Sequence, residues 1–306
     1  MKIAIFARRT GSLTRSPEPQ CDRFRTAALD RGHEVRDADV GAFIRGDVDV
    51  VVGGAILIGG VRVDDVDAVI LGPLPGPAAR TTPPGLEVSA EAHALLTTQQ
   101  YERHVLAWAI VGELEARGIP VLSSPSKARP LDFKPAQLLA LARAGLPVPR
   151  TRITRGLGVS DDVDWLQKPI AGGPVVTLGT TAMPAIQQPR MRGCDLRAVV
   201  VGDEVVAVAR FPGDDDVVDL RQRPAFVDGS ACWEREDNER VAVLARAAAQ
   251  VCCCDFAAVD LKMGRRQSDH LTILEVNRTP VVIDIEDDLG APITQRFLDL
   301  VEERAR

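Results

Sequence analysis

Lysine is scarce in this chain of 306 residues: there are only 5, and arginine supplies nearly all of the positive charge. Histidine is as rare, with 4, and aromatic residues make up 4% with a single tyrosine. His33, His93, His104 and His270 lie far apart in the chain, so no Ser/His/Asp or Cys/His arrangement is supported. Trp108, Trp165 and Trp233 are too few and too dispersed to stack successive bases. The net charge of −6 argues against a general binder of nucleic acid or of anionic membranes. No apolar run approaches the roughly 18 residues that a spanning helix needs. The opening Met1-Lys2-Ile3-Ala4-Ile5-Phe6 is interrupted too soon by Arg8-Arg9 to read as a secretory signal. The six cysteines include no C-x-x-C pair, and the run Cys252-Cys253-Cys254 cannot wrap one tetrahedral ion. Buried, reduced thiols and a cytoplasmic location are therefore expected. The G-x-G-x-x-G spacing of a dinucleotide site is also missing after the first strand, which leaves Gly53-Gly54 and Gly59-Gly60 as turns of a hairpin-like excursion.

What is present is the mix of an ordinary globular protein, 45% apolar and 26% charged. The length exceeds what one core usually holds, so more than one domain is expected. Lys2–Ala7 reads as an apolar strand, and the largely apolar run over 66–71 as a central parallel strand. Between and after them come helical patterns stopped by Gly32 and by Gly118. Residues 1–125 therefore read as an open α/β unit with a parallel sheet. From about Ser126 the texture changes. A helix over 135–144 stops at Gly145, and Trp165–Pro169 is a strand. Two further strands, 196–201 and 204–211, are joined by Gly202-Asp203, a hairpin signal. A helix over 239–253 and strands over 257–261 and 271–276 follow.

Several residues in this second part carry possible chemistry. Glu275 and Asn277 are two apart in a strand and so share a face; Asp260 joins them if its own strand lies alongside. Three such oxygens suit magnesium, although the same residues also suit two solvated acids and a turn asparagine. Lys168 ends a strand before Gly172-Gly173, where an ammonium and a closely approaching backbone can meet nucleotide phosphates; a surface lysine is the plain alternative. Lys134 opens a helix, where a cation gains nothing from the local dipole. Asp195 with Arg197, Arg210 closing the next strand, and Asp219 with Arg221 offer guanidinium forks for phosphate or carboxylate, or ordinary surface ion pairs.

Taken in order, these pieces resemble the ATP-grasp superfamily, nearest to the RimK-like amino-acid and peptide ligases. The matching run starts at Leu131-Asp132-Phe133-Lys134 and continues through Ala144-Gly145-Leu146-Pro147-Val148-Pro149-Arg150-Thr151. Gln167-Lys168-Pro169 resembles the second nucleotide lysine, and Gly193-Cys194-Asp195-Leu196-Arg197 with Val200-Val201-Gly202-Asp203-Glu204-Val205-Val206-Ala207 resembles the following strand pair. Ala258-Val259-Asp260-Leu261 and Leu274-Glu275-Val276-Asn277 resemble the metal-binding end, and Ile285-Glu286-Asp287-Asp288-Leu289-Gly290 resembles the family's closing segment.

The resemblance implies a mixed α/β and α+β protein: an N-terminal open parallel α/β domain over 1–125, then a two-lobed ATP-grasp fold with its small lobe at 126–186 and its large, metal-binding lobe at 187–306. It implies that Lys134, Lys168, Gly172, Gly173 and Asp195 serve ATP. Gln187 and Gln188 would lie at the hinge whose backbone holds adenine. Asp260, Glu275 and Asn277 would bind Mg²⁺, with Mn²⁺ as a substitute, and Arg197, Arg210 and Arg221 would serve phosphate, substrate carboxylate and acyl phosphate. The implied activity is ATP-dependent carboxylate–amine ligation on an amino acid or peptide, releasing ADP and phosphate, in a cytoplasmic protein that can form dimers or tetramers. Macrocyclisation of a ribosomal peptide is the variant reading, and nucleotide binding without ligation the rival. Two departures stand out: the glycine loop is shortened to Ala171-Gly172-Gly173-Pro174, and Arg278-Thr279-Pro280 replaces the Pro-Gly that often follows the asparagine.

Overall fold

The structure is a computed structural model that describes residues 1–7, 18–74, 89–123, 128, 131, 133–154, 165–170, 177–178, 185–211, 233–264 and 271–306. The chain divides into two compact units, Met1–Ser126 with Leu298–Arg306, and Lys127–Phe297.

The first unit runs β1 (Lys2–Ala7), α1 (Glu18–Asp30), β2 (Glu34–Asp39), α2 (Ala42–Arg45), β3 (Val48–Val50), β4 (Ile56–Ile58), β5 (Val61–Arg62), β6 (Ala68–Leu71), α3 (Ala90–Ala116) and β7 (Val121–Leu122). Its main sheet has the order β2-β1-β6-β7 and every pairing is parallel. β1 and β6 are buried on both faces, which is why they read as unbroken apolar runs. Ala107, Trp108, Ile110, Val111 and Leu114 of α3 pack into the same core as Ala4, Phe6 and Val69. The Gly-rich stretch folds as the expected excursion, a small antiparallel sheet of β3, β4 and β5. α1 stops at Gly32, whose φ of +78° lets the Gly32 and His33 amides return to Leu29 and Ala28. No helix among the described residues is long and apolar enough to cross a membrane.

The second unit runs α4 (Lys134–Arg143), β8 (Arg152–Thr154), β9 (Trp165–Pro169), β10 (Thr177–Leu178), β11 (Ala185–Pro189), β12 (Cys194–Val201), β13 (Glu204–Phe211), β14 (Glu234–Arg235), α5 (Glu239–Val251), β15 (Phe256–Met263), β16 (Leu271–Asn277), α6 (Ile283–Leu289) and the start of α7 (Ile293–Arg304), whose residues from Leu298 on belong to the first unit. It holds two antiparallel sheets, ordered β10-β9-β11-β8 and β14-β13-β12-β15-β16. The five-stranded sheet is two-faced. Leu196, Ala198, Val200, Val259, Leu261, Ile273 and Val276 face one core with Val241, Ala245, Ala248 and Ala249 of α5. Asn238 caps α5 by accepting from the amides of Arg240 and Val241. Cys252 and Cys254 are buried in that core, and Cys253 takes a left-handed φ of +55° where the helix ends. Burial and then neighbouring Cys253 push the Cys252 thiol up to about 12, so it stays a thiol, as expected of a packing residue. None of the five described cysteines is in a disulfide.

Two local constraints yield predictions. Gly193 leads into β12 at φ +135°, and a Cβ there would lie 2.0 Å from the Met263 carbonyl oxygen. Gly193→Ala is expected to cost about 2 kcal/mol or more, measured by denaturant unfolding. Within the first unit, the Glu302 carboxylate accepts from His33 at 2.9 Å and from Arg31 at 3.0 Å, and these bonds hold its pKa below the usual 4.5. A depressed carboxylate pKa stabilises the fold above the unfolded value and is lost as pH falls through the folded one. The stability gap between wild type and Glu302→Gln should therefore be open at neutral pH and close as pH drops below about 4.5.

Candidate active site

The polar face of the five-stranded sheet is set by register. Arg197 on β12 lies opposite Asp260 on β15, and Asp260 lies opposite Glu275 on β16. Side chains directly opposite in an antiparallel pair share a face, and Asn277 follows two residues after Glu275. One extra residue makes this possible. Leu261 pairs with Ile273 but Asp260 with Glu275, so Leu274 is a bulge. Without it, Glu275 would lie against Val259 on the apolar face.

The side chains on this face are committed to one another. Arg197 holds Asp260 in a fork, Nε to Oδ1 at 2.6 Å and Nη2 to Oδ2 at 3.0 Å. The Asn277 amide donates to Asp260 Oδ2 at 2.9 Å, leaving its own oxygen as an acceptor. Burial opposes the charge of Arg197, but Asp260 outweighs it and raises the guanidinium pKa. The Arg197 guanidinium also lies 5.9 Å from the ring of Trp233, which meets Phe211 edge to face at 5.2 Å. One row along the sheet, Lys262 Nζ donates to both oxygens of Asp195 at 3.1 Å.

Two lysines approach from other elements. Lys134, at the start of α4, donates to Glu275 Oε2 at 2.5 Å. α4 is fixed there by Gln137, which is 4% exposed and closes a two-way bond with Val276: Nε2 donates to its carbonyl at 2.9 Å, and Oε1 accepts from its amide at 2.8 Å. Among the described residues β16 is the edge strand of its sheet, so Gln137 supplies a pairing that no further described strand provides. Lys168 projects from β9 of the other sheet. Burial first and Lys134 second pull its pKa below the usual lysine value, while Glu275, Asp260 and Asp195 pull the other way. The two nucleotide-lysine candidates and the three acidic residues are thus electrostatic neighbours.

The structure brings together Lys134, Lys168, Asp195, Arg197, Asp260, Glu275 and Asn277. It does not bring in Arg210. In an unbroken hairpin around Gly202-Asp203, Arg210 would face Asp195 and share the face of Arg197. The register slips between Val199 and Val200, so Arg210 lies opposite Leu196 instead and turns to the other face. There it pairs with Glu234 and comes within 3.9 Å of Glu236. Gln187 and Gln188 are buried on β11: Gln188 pairs with Leu166, on the face of Lys168, and donates to Thr151 Oγ1 at 3.0 Å. Gln187 pairs with Gln167 on the opposite face, so its side chain points away from Lys168. Gly172, Gly173 and Arg221 lie outside the described residues. Gln137, Lys262 and Trp233 are site residues that sequence reasoning did not find.

The donor set fits a hard divalent cation: two carboxylates and an amide oxygen on one face, beside cations suited to phosphate. Among the described residues no three His, Cys, Asp or Glu side chains gather to hold a metal; beside Asp260 and Glu275 the further oxygen on this face is that of Asn277.

No family model matches the chain. Over its whole length it is 26% identical to the ribosomal protein bS6–L-glutamate ligase of Salmonella paratyphi B, of which it covers 97%. Among solved structures, the ATP-grasp ligase PsnB, complexed with a phosphomimetic variant of its minimal precursor, Mg and ADP, superposes with a TM-score of 0.76 at 23% identity, over 99% of this chain and 98% of that one. The macrocyclase MdnC of Microcystis aeruginosa, bound to its precursor peptide MdnA, gives 0.68 at 14% identity, over 99% and 100%. The fold is therefore that of the ATP-grasp ligases. Within that class the chain is RimK-like in sequence from end to end.

Gln137→Ala, which strips two partners from Val276, is expected to cost about 2–3 kcal/mol in an unfolding titration.

Proposed function

We propose that the protein is an ATP-dependent carboxylate–amine ligase that works through an acyl phosphate and releases ADP and phosphate. The observation that carries this reading is the convergence of Lys134, Lys168 and Arg197 on the Asp260–Glu275–Asn277 face within a full-length ATP-grasp fold. The N-terminal domain, 1–125, precedes a small lobe, 126–186, that brings Lys134 and Lys168, and a large lobe, 187–306, that brings the acidic face.

The chemistry follows from the parts. A substrate carboxylate attacks the γ-phosphorus of ATP, and the bond to the β-phosphate oxygen breaks to leave ADP. An amine then attacks the acyl carbon, a C–N bond forms, and phosphate departs as the nitrogen loses its proton. Lys134 and Lys168 hold phosphate oxygens, and Arg197 orients Asp260 and offers its remaining donors to phosphate or substrate carboxylate. Asp260, Glu275 and the Asn277 oxygen would hold Mg²⁺, which neutralises the charge spreading over the transferred phosphoryl group; Mn²⁺ suits the same oxygens. Exclusion of water protects the acyl phosphate, a task for which Gly172 and Gly173 are placed in sequence.

The substrate is an amino acid or peptide, as for the bS6–L-glutamate ligase it resembles. Macrocyclisation of a ribosomal peptide is the second reading, favoured by the fold match to two ligases solved with precursor peptides. A cytoplasmic setting and assembly into dimers or tetramers fit an ATP-consuming enzyme of this kind.

The test is Mg-ATP turnover across pooled amino acids and acidic peptides, with products separated. ADP and phosphate should appear with one pool only, and Asp260→Asn or Lys168→Met should lower that rate by about 100-fold or more. AMP and pyrophosphate, or full activity in either variant, would overturn the reading.

A further inference from the structure

Beyond binding phosphate, we propose that Lys134 is a built-in counterion that keeps the divalent-cation site closed until nucleotide arrives, so that metal and nucleotide load together. This rests on the ligase reading above and concerns how the same site fills.

Each charged ligand that would take the metal is already spoken for. Glu275 is paired with Lys134 at 2.5 Å, and Asp260 is held by the Arg197 fork and by Asn277. The pairs are partly buried, with side-chain exposures of 17% and 30% for Lys134 and Glu275 and 24% for both Arg197 and Asp260. At that depth water screens the pairs only in part, so breaking one without replacement is costly. Taken with Lys168, Lys262 and Asp195, the cluster among the described residues sets four cations against three carboxylates. A bare divalent cation therefore meets a face that is positive before it arrives.

The two cations that guard the carboxylates differ. Arg197 is locked by two hydrogen bonds to Asp260 and by the face of Trp233. Lys134 is a single ammonium on a flexible stem at a helix start, where the helix dipole repels it. A polyphosphate placed between Lys134 and Lys168 offers Lys134 a stronger partner than one carboxylate. When Lys134 turns to phosphate, Glu275 is released to the metal that the phosphates carry. Lys134 thus acts twice, as an occupant of the metal's place and then as a ligand of nucleotide.

The experiment is calorimetric titration of the full chain with Mg²⁺ alone, with ADP alone, and with ADP at saturating Mg²⁺. The wild type should bind Mg²⁺ weakly alone and bind ADP at least about tenfold more tightly when Mg²⁺ is present. Lys134→Met should bind Mg²⁺ alone about tenfold more tightly than wild type, whereas Lys134→Arg, which keeps a cation, should not. If Lys134→Met fails to fold, as judged by its thermal melt, Lys134→Gln carries the same comparison. A purely structural or phosphate-binding role for Lys134 predicts no gain in metal affinity. Unchanged Mg²⁺ affinity in the neutral variants, with ADP still bound by wild type, would overturn the counterion role alone. Absence of ADP binding to wild type at every Mg²⁺ concentration would overturn the ligase reading with it.

Discussion

The site depends on a single inserted residue. Leu274 adds one position to β16 and so reverses the parity of everything after it, placing Glu275 and Asn277 beside Asp260 while Ile273 and Val276 stay in the core. A sheet that must bury one face has no freedom to present a carboxylate on the wrong side, because a charge among Val259, Ile273 and Ala245 has no partner there. The bulge lets one short strand serve both demands. A second bulge, in the β12–β13 hairpin, has the converse effect and removes Arg210 from the site. The composition of the acidic face is thus decided by two register slips as much as by which residues the chain carries.

Around that face the charges are organised as alternating pairs. Lys134 with Glu275, Arg197 with Asp260, and Lys262 with Asp195 each satisfy a partly buried group that would otherwise be left without a counterion. Such pairs contribute little net stability, since desolvation offsets much of the attraction. What they confer is position. Arg197 is fixed to within a bidentate geometry and an aromatic face, and the two-way bond of Gln137 to Val276 fixes α4 to the strand that carries Glu275. Binding and orientation of this sort are most of what phosphoryl transfer asks of a protein.

Much of this was legible in the sequence, and the rest was hidden for definite reasons. Lys134, Lys168, Asp260, Glu275 and Asn277 stand in local contexts that advertise them: a helix start, a strand end before glycines, an i, i+2 pair. The parallel sheet and the Gly202-Asp203 hairpin were likewise readable from apolar runs and turn residues. Gln137 was not, because its partner is 139 positions away and a lone polar residue in an amphipathic helix carries no sign of what it meets. Lys262 and Trp233 acquire meaning only through the register of β15 and the placement of Arg197. That Arg210 turns away from the face of Arg197 was not legible, because period-two counting cannot see a bulge, and one extra residue moves a side chain to the opposite face.

The far end of α7 carries a consequence for how the polypeptide is made. Arg31 and His33 close the first helix of the N-terminal unit, yet the carboxylates they bind belong to Asp299 and Glu302, 268 to 271 positions later. A nascent chain can lay down the parallel sheet early, but it emerges from the ribosome with these two side chains still facing water. They gain their partners only after the second unit, Lys127–Phe297, has been synthesised. The N-terminal unit therefore stays incomplete until Asp299 and Glu302 have been made.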